Sequence, residues 1–118
     1  MKKLFFILAL GMSVSLFSSC GTTTRPLYSW YDSENASYQY NKKHTDEWHE
    51  ALLKQYAKMD AKQVGVRGTV PPGFCAEYGY ALVSSGKRAE GLAYLKKEIQ
   101  LYPESEAFVA RIIKQIEQ

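Results

Sequence analysis

The fold of this chain is decided by residues 72–105, which read PGFCAEYGYALVSSGKRAEGLAYLKKEIQLYPES. Apolar side chains recur in this stretch at intervals of three and four residues, which is the pattern of an α-helix with one buried face. Ser85-Gly86 interrupts the pattern and Pro103 ends it, because glycine permits a sharp turn and proline cannot continue a helix. The stretch therefore predicts two antiparallel helices, along residues 73–85 and from residue 87 or 88 to about residue 101.

The predicted hairpin resembles a tetratricopeptide repeat of 34 residues. When Pro103 is aligned with the proline of that repeat, the residue types usual in the repeat are found at Tyr78, Gly79, Leu82, Gly86, Gly91 and Leu95. Gly79 and Gly91 are expected to let the two helices approach closely. Arg88 and Glu98 depart from the repeat, where an aromatic residue and alanine are usual, and this puts a further repeat on that face in doubt. A generic helical hairpin is the alternative.

Helical patterns continue on both sides of this stretch. Thr45-Asp46-Glu47 is typical of a helix start, and apolar residues then repeat at helical spacing to about residue 62. A short helix is predicted before it, although alternating tyrosines there would also suit a strand, and a terminal amphipathic helix follows Ser105. We therefore expect an all-α domain over residues 31–118, with four to five helices in antiparallel, tetratricopeptide-like hairpins.

The N-terminus has the features of an export signal. Lys2 and Lys3 precede an apolar stretch, residues 4–17, that is short for a membrane-spanning helix. Small residues then lead to Cys20 in Leu16-Phe17-Ser18-Ser19-Cys20, which resembles a bacterial lipobox, although leucine is more usual than Phe17. The resemblance implies a lipoprotein signal peptide over residues 1–19, lipid attachment at Cys20, and a tether over residues 20–30. An ordinary signal peptide or an uncleaved anchor is the alternative.

Lipidation is expected to hold the domain on a bilayer without a spanning helix. Each buried methylene contributes about 0.8 kcal/mol, so that two or three acyl chains anchor a protein firmly. By resemblance to proteobacterial sorting rules, Gly21 after the cysteine favours the outer membrane, with the domain facing the periplasm. Without Lys2 and Lys3 the chain has 13 basic and 12 acidic residues, a balance that does not indicate nucleic acid as a partner.

Motifs for catalysis, metals or cofactors are lacking in the sequence. Once Cys20 carries lipid, Cys75 is the remaining cysteine, and its place in an apolar helical pattern indicates a core residue rather than a nucleophile. His44 and His49 are five residues apart, which is not the spacing of an HExxH zinc site. We therefore predict no enzymatic activity, no cofactor and no small-molecule substrate.

Aromatic residues are numerous for so small a domain. The chain contains 9 Tyr and 2 Trp residues, and neighbouring rings such as Tyr78 and Tyr80 point to different faces of their helix. Aromatic residues on a helical hairpin are common anchors in protein interfaces. We predict a protein-binding surface at Tyr80, Glu77 and Lys87. Burial of the tyrosine rings in the core is the alternative.

The sequence also resembles a protein family over nearly the whole mature chain. Three segments look like those of an uncharacterised family of small bacterial lipoproteins. They are the lipobox, the entry segment Leu27-Tyr28-Ser29-Trp30-Tyr31 and the segment Pro71-Pro72-Gly73-Phe74-Cys75-Ala76-Glu77-Tyr78-Gly79. Members of this family are often encoded beside a lipoprotein that resembles the curli secretion channel. The family supplies no catalytic residues.

These observations together predict a function in the cell envelope. We expect a non-catalytic, lipid-anchored periplasmic adaptor that binds another envelope or secretion-assembly protein. A structural lipoprotein that binds peptidoglycan or stabilises the envelope is the alternative.

Overall fold

The computed structural model describes residues 1–3 and 25–118. Residues 25–118 form five α-helices and one 3-10 turn, without a β-strand. The elements are α1 (Ser33–Lys43), α2 (Asp46–Ala61), α3 (Phe74–Ser84), α4 (Arg88–Leu101), the 3-10 turn (Pro103–Ser105) and α5 (Glu106–Glu117). The prediction of an all-α fold with four to five helices is confirmed. Cys20 and most of the predicted signal peptide lie outside the described residues.

The first hairpin is formed by α1 and α2, joined by two residues. His44 ends α1 in the left-handed conformation, with φ 50°, and its N–H donates to the carbonyl of Tyr40. Thr45 then begins α2, because its side-chain oxygen accepts a hydrogen bond from the N–H of Trp48. Tyr40 stacks on His49, with ring centroids 4.9 Å apart, so the two helices run back along each other from this turn.

The second hairpin is formed by α3 and α4, and two glycines set its spacing. A Cβ atom on Gly79 would lie 2.6 Å from the carbonyl oxygen of Gly91, and a Cβ on Gly91 would collide in the same way with the carbonyl of Gly79. Real Cβ atoms do not come so close to a backbone oxygen. The two helices therefore touch through their backbones, as the sequence predicts.

Helix α3 is the central element of the fold, because it contributes to two hydrophobic clusters. The larger cluster lies between the hairpins and joins the α2 residues Leu52, Tyr56 and Met59 to the α3 residues Phe74, Cys75, Tyr78 and Leu82. The smaller cluster joins Ala76 of α3 to Leu95 of α4 and Val109 of α5. With apolar neighbours on both sides, α3 has a fixed position against the rest of the domain.

Residues 26–29 form hydrogen bonds with residues after the end of α2. The carbonyl of Pro26 accepts a hydrogen bond from the N–H of Val66 at 3.0 Å, and that of Leu27 accepts one from Arg67 at 3.1 Å. Ser29 and Gln63 exchange two further hydrogen bonds between the Ser29 backbone and the Gln63 amide. Residues 26–29 are therefore held against the loop that follows α2, and any free tether must precede them.

None of the described helices is both long enough and apolar enough to span a membrane.

Candidate functional site

A groove runs between α1 and α3, with α2 as its floor, and we call it the central groove. It consists of two adjoining cavities of about 150 and 280 Å³, which share Ser37 of α1, Tyr56 of α2 and Glu77 of α3. The lining residues extend from Ser33 to Asn41 on α1 and from Phe74 to Ser84 on α3, or roughly 12–15 Å at about 1.5 Å per residue. That length matches four or five residues of an extended peptide at about 3.3 Å per residue.

Glu77 lies at the centre of the groove and is held there by a tyrosine of the floor. The hydroxyl of Tyr56 donates to Oε2 of Glu77 at 3.0 Å. Burial, together with the neighbouring Glu77 carboxylate, raises the pKa of Tyr56, so its hydroxyl remains a donor at any physiological pH. The carboxylate therefore has a fixed position, although it remains accessible to a molecule in the groove.

Exposed aromatic rings flank Glu77 on both sides. Tyr80 lies one turn further along α3, lines the larger cavity and is 59% exposed. Trp30 lies at the opposite end, lines the smaller cavity and is 45% exposed. The fold thus brings two of the three predicted binding residues, Glu77 and Tyr80, onto one wall of the groove. The third, Lys87, is exposed at the N-cap of α4 and lies outside the groove lining.

His49 closes the far end of the groove and joins the two hairpins. Its Nε2 lies 3.1 Å from the carbonyl oxygen of Ala81, so Nε2 carries the proton and donates. One face of the imidazole ring stacks on the ring of Tyr40. In the described parts of the chain, no group of three or more His, Cys, Asp or Glu residues is arranged to hold a metal ion. The structure thus gives His49 a packing and hydrogen-bonding position.

A second connection between the hairpins lies on the other side of α3. Asp60 of α2 accepts a hydrogen bond from the hydroxyl of Tyr94 at 2.6 Å and pairs with Nζ of Lys97 at 2.8 Å, both in α4. Burial opposes ionisation of Asp60, but the hydrogen bonds from Lys97 and Tyr94 outweigh it and lower the pKa of this carboxyl. The pair is partly exposed and contributes modestly to stability, but it fixes how α4 lies against α2.

Cys75 is fully buried in the core, as its apolar surroundings in the sequence predicted. Burial raises the pKa of its thiol to about 11, with Glu98 adding to the effect and Lys97 opposing it. Because the thiolate is the reactive form of cysteine, a thiol with this pKa is a poor nucleophile at neutral pH. The side chain is part of the packing between α2 and α3.

Glu98 is the important residue that the sequence did not indicate. It is 1% exposed, and its two carboxylate oxygens accept hydrogen bonds from the N–H groups of Gly73 and Cys75, at 2.6 and 3.0 Å. These groups lie at the start of α3, where backbone donors have no partner within the helix. Glu98 of α4 thus caps α3 from the neighbouring helix. The sequence showed only that Glu98 departs from the tetratricopeptide pattern.

Glu98 also borders a third cavity, of about 230 Å³, between the start of α3 and α5. This cavity is lined mainly by apolar atoms, including those of Phe108, whose side chain is largely exposed. In the predicted terminal helix, Val109 is buried and Ile112, Ile113 and Ile116 pack against the smaller cluster. Phe108 is not a member of that cluster and is 66% exposed.

The fold and the groove define a small helical protein in which two hairpins form a peptide-sized groove. The chain belongs to the family described as a domain of unknown function, DUF4810, whose sequence profile matches residues 27–112. The match begins within the entry segment that packs against the loop after α2, and it ends inside α5. No curated protein and no solved structure matches the chain.

Proposed function

We propose that this protein is a non-catalytic, lipid-anchored adaptor of the bacterial cell envelope. In this proposal Cys20 carries the lipid, the domain faces the periplasm from the outer membrane, and the central groove binds a segment of another envelope or secretion-assembly protein. The observation that carries the proposal is the groove itself, in which exposed aromatic rings stand on both sides of a fixed carboxylate.

The position of the exposed rings supports binding of a protein. Tyr80 and Trp30 lie in a concave surface between two packed hairpins, where an inserted side chain would be surrounded on several sides. Aromatic residues in such pockets supply large contact area at a small cost in side-chain entropy, and they dominate many interfaces. A tetratricopeptide-like arrangement of hairpins, as the sequence of residues 72–105 indicates, suits the same role.

The N-terminal sequence supports the location. Two lysines, a short apolar stretch and a cysteine after small residues have the order of a lipoprotein leader. The ordered domain begins within six residues of Cys20, at Pro26, so a short spacer separates it from the proposed anchor. The domain would therefore work close to the membrane surface, where envelope proteins are its neighbours.

The proposed role of the groove is tested by comparing two variants, one that replaces an exposed tyrosine inside the groove and one that replaces an exposed tyrosine outside it. We expect Tyr80→Ala to reduce recovery of the partner at least tenfold, since a central aromatic anchor contributes about 2 kcal/mol or more to an interface. Tyr38→Ala is the matched control, because Tyr38 of α1 is 60% exposed but lies outside the groove lining. The measurement is cross-linking in intact cells, followed by affinity purification from membranes and quantitative mass spectrometry.

The two proposed roles give different results in this experiment. A stoichiometric protein that is lost with Tyr80→Ala and kept with Tyr38→Ala supports the adaptor. Co-sedimentation with purified sacculi, without any protein whose recovery depends on Tyr80, would instead favour the peptidoglycan-binding alternative and end the adaptor proposal.

The anchor is tested at the two cysteines. We expect wild-type cells to incorporate labelled palmitate into the protein and Cys20→Ala to abolish the label, because the diacylglyceryl group on the thiol and the acyl chain on the amine both belong to Cys20. Cys75→Ala is the control and should keep the label. Label that persists in Cys20→Ala would refute the assignment, whatever the result with Cys75→Ala.

A further inference from the structure

The charged residues that line the central groove are all acidic, apart from His49. They are Glu34, in the first turn of α1, and Glu77, in the first turn of α3. Among the described residues, lysine and arginine do not line either cavity. The excess of acidic residues in the groove is the reverse of the balance in the whole chain, which has 15 basic and 12 acidic residues. The groove therefore has a local negative charge that no ion pair within the described domain neutralises.

One carboxylate oxygen of Glu77 has no hydrogen-bond partner among the described residues. Its Oε2 accepts the Tyr56 hydroxyl, while the described part of the chain provides no hydrogen-bond partner for Oε1. Because Tyr56 holds the carboxylate in place, pairing with a ligand costs little additional side-chain entropy. A carboxylate in a concave surface whose charged side chains are acidic attracts a cation more strongly than one on an open surface.

The rings at the two ends of the groove can also contact basic side chains of an occupant. Three lysines in the described domain lie over aromatic rings of their own neighbourhood, Lys42 over Tyr38, Lys43 over Trp48 and Lys97 over Tyr94. Within residues 25–118, no cation is placed in this way over Trp30 or Tyr80. These two rings thus offer the groove an unused cation–π surface on either side of the carboxylate.

We propose that the occupant of the central groove is a segment of an envelope protein with a lysine or arginine side chain that pairs with Glu77, in the groove that Trp30 and Tyr80 flank at its two ends. This inference rests on the proposed function and specifies the chemistry of the partner. An acidic segment would meet Glu34 and Glu77 without a compensating lysine or arginine in the groove. Charge complementarity therefore favours a basic segment.

The test is a selection with random twelve-residue peptides displayed on phage, against the immobilised full-length protein in detergent. Selected peptides should be enriched in lysine or arginine, and their binding should be about tenfold weaker to Glu77→Gln, as expected for loss of a partly desolvated charge pair. Glu117→Gln is the matched control, because Glu117 is exposed at the end of α5, away from the groove. Replacing the basic residue of the peptide by glutamine should weaken binding to wild type but have little further effect with Glu77→Gln.

The outcomes separate this inference from the proposed function. Selected peptides that require Tyr80 but lack a basic residue would overturn the inference of a basic partner and leave the binding groove intact. The same conclusion would follow if the losses of binding free energy from the two glutamine substitutions, in the protein and in the peptide, simply add. If wild type selects no peptide whose binding depends on Tyr80, both the groove and its basic partner are rejected.

Discussion

Replacing Glu98 by alanine is expected to cost about 3–5 kcal/mol of stability, because it removes a buried carboxylate that accepts two backbone hydrogen bonds. The N–H groups of Gly73 and Cys75 would lose their acceptors at a helix start that is covered by protein. Gly73, at the N-cap, has no side chain that could replace Glu98. Small domains are stable by about 5–15 kcal/mol in total, so this one substitution brings the protein close to unfolding.

Glu98→Gln distinguishes the charge from the shape of the side chain. The amide keeps one acceptor oxygen but directs an NH₂ group at a backbone donor, and we expect a smaller loss of about 1–3 kcal/mol. Glu117→Ala, an exposed position at the end of α5, should change stability by less than about 0.5 kcal/mol. Urea unfolding followed by far-UV circular dichroism measures all three. A loss below about 1 kcal/mol for Glu98→Ala would show that Glu98 does not hold the start of α3.

Replacing Gly91 by alanine is expected to cost about 2–3 kcal/mol, even though alanine is the better helix former by about 1 kcal/mol. The added Cβ would collide with the carbonyl of Gly79 and lie 2.6 Å from Cγ2 of Val83. A backbone carbonyl within a helix cannot rotate away, so α3 and α4 must separate. Because both clusters of the core include α3, this separation loosens packing on two sides.

Two comparisons identify the cause of that loss. Ala93→Leu adds more volume to the same helix but at an exposed position, and it should change stability by less than about 0.5 kcal/mol. The double variant Gly79→Ala with Gly91→Ala should lose less than the sum of the single losses, because the first substitution has already separated the helices. Thermal and urea unfolding provide the values. A stabilised Gly91→Ala protein would mean that the helices do not touch through their backbones.

Most of the helices could be predicted from the sequence, because their signals are local. Thr45 before two acidic residues, glycine at position 86 and proline at position 103 each act within one turn of the chain. The close approach at Gly79 and Gly91 was also predictable, since two small residues faced each other across a turn of known length. The resemblance of residues 72–105 to a repeat supplied the alignment of those two positions.

The candidate site was predictable only in part. Glu77 and Tyr80 belong to one helix and are three residues apart, so their common face follows from the helical period. Lys87 was predicted together with them, but it follows the turn after α3 and does not line the groove. The wall supplied by α1 and the floor supplied by Tyr56 depend on how the hairpins pack, and no local pattern specifies that packing.

By itself, the sequence determined the order and approximate ends of most helices, the tight contact at Gly79 and Gly91, and the burial of Cys75. Each follows from helical periodicity, from residues that break helices, or from the size of a side chain. Only the tertiary structure decided that Glu98 caps α3, since the two N–H groups that it accepts from belong to residues 23 and 25 positions earlier in the chain. It also decided that Tyr56 holds Glu77, which lies 21 residues later in the chain. The physical reason is that such contacts depend on which helix faces meet, and this is set by packing of the whole core.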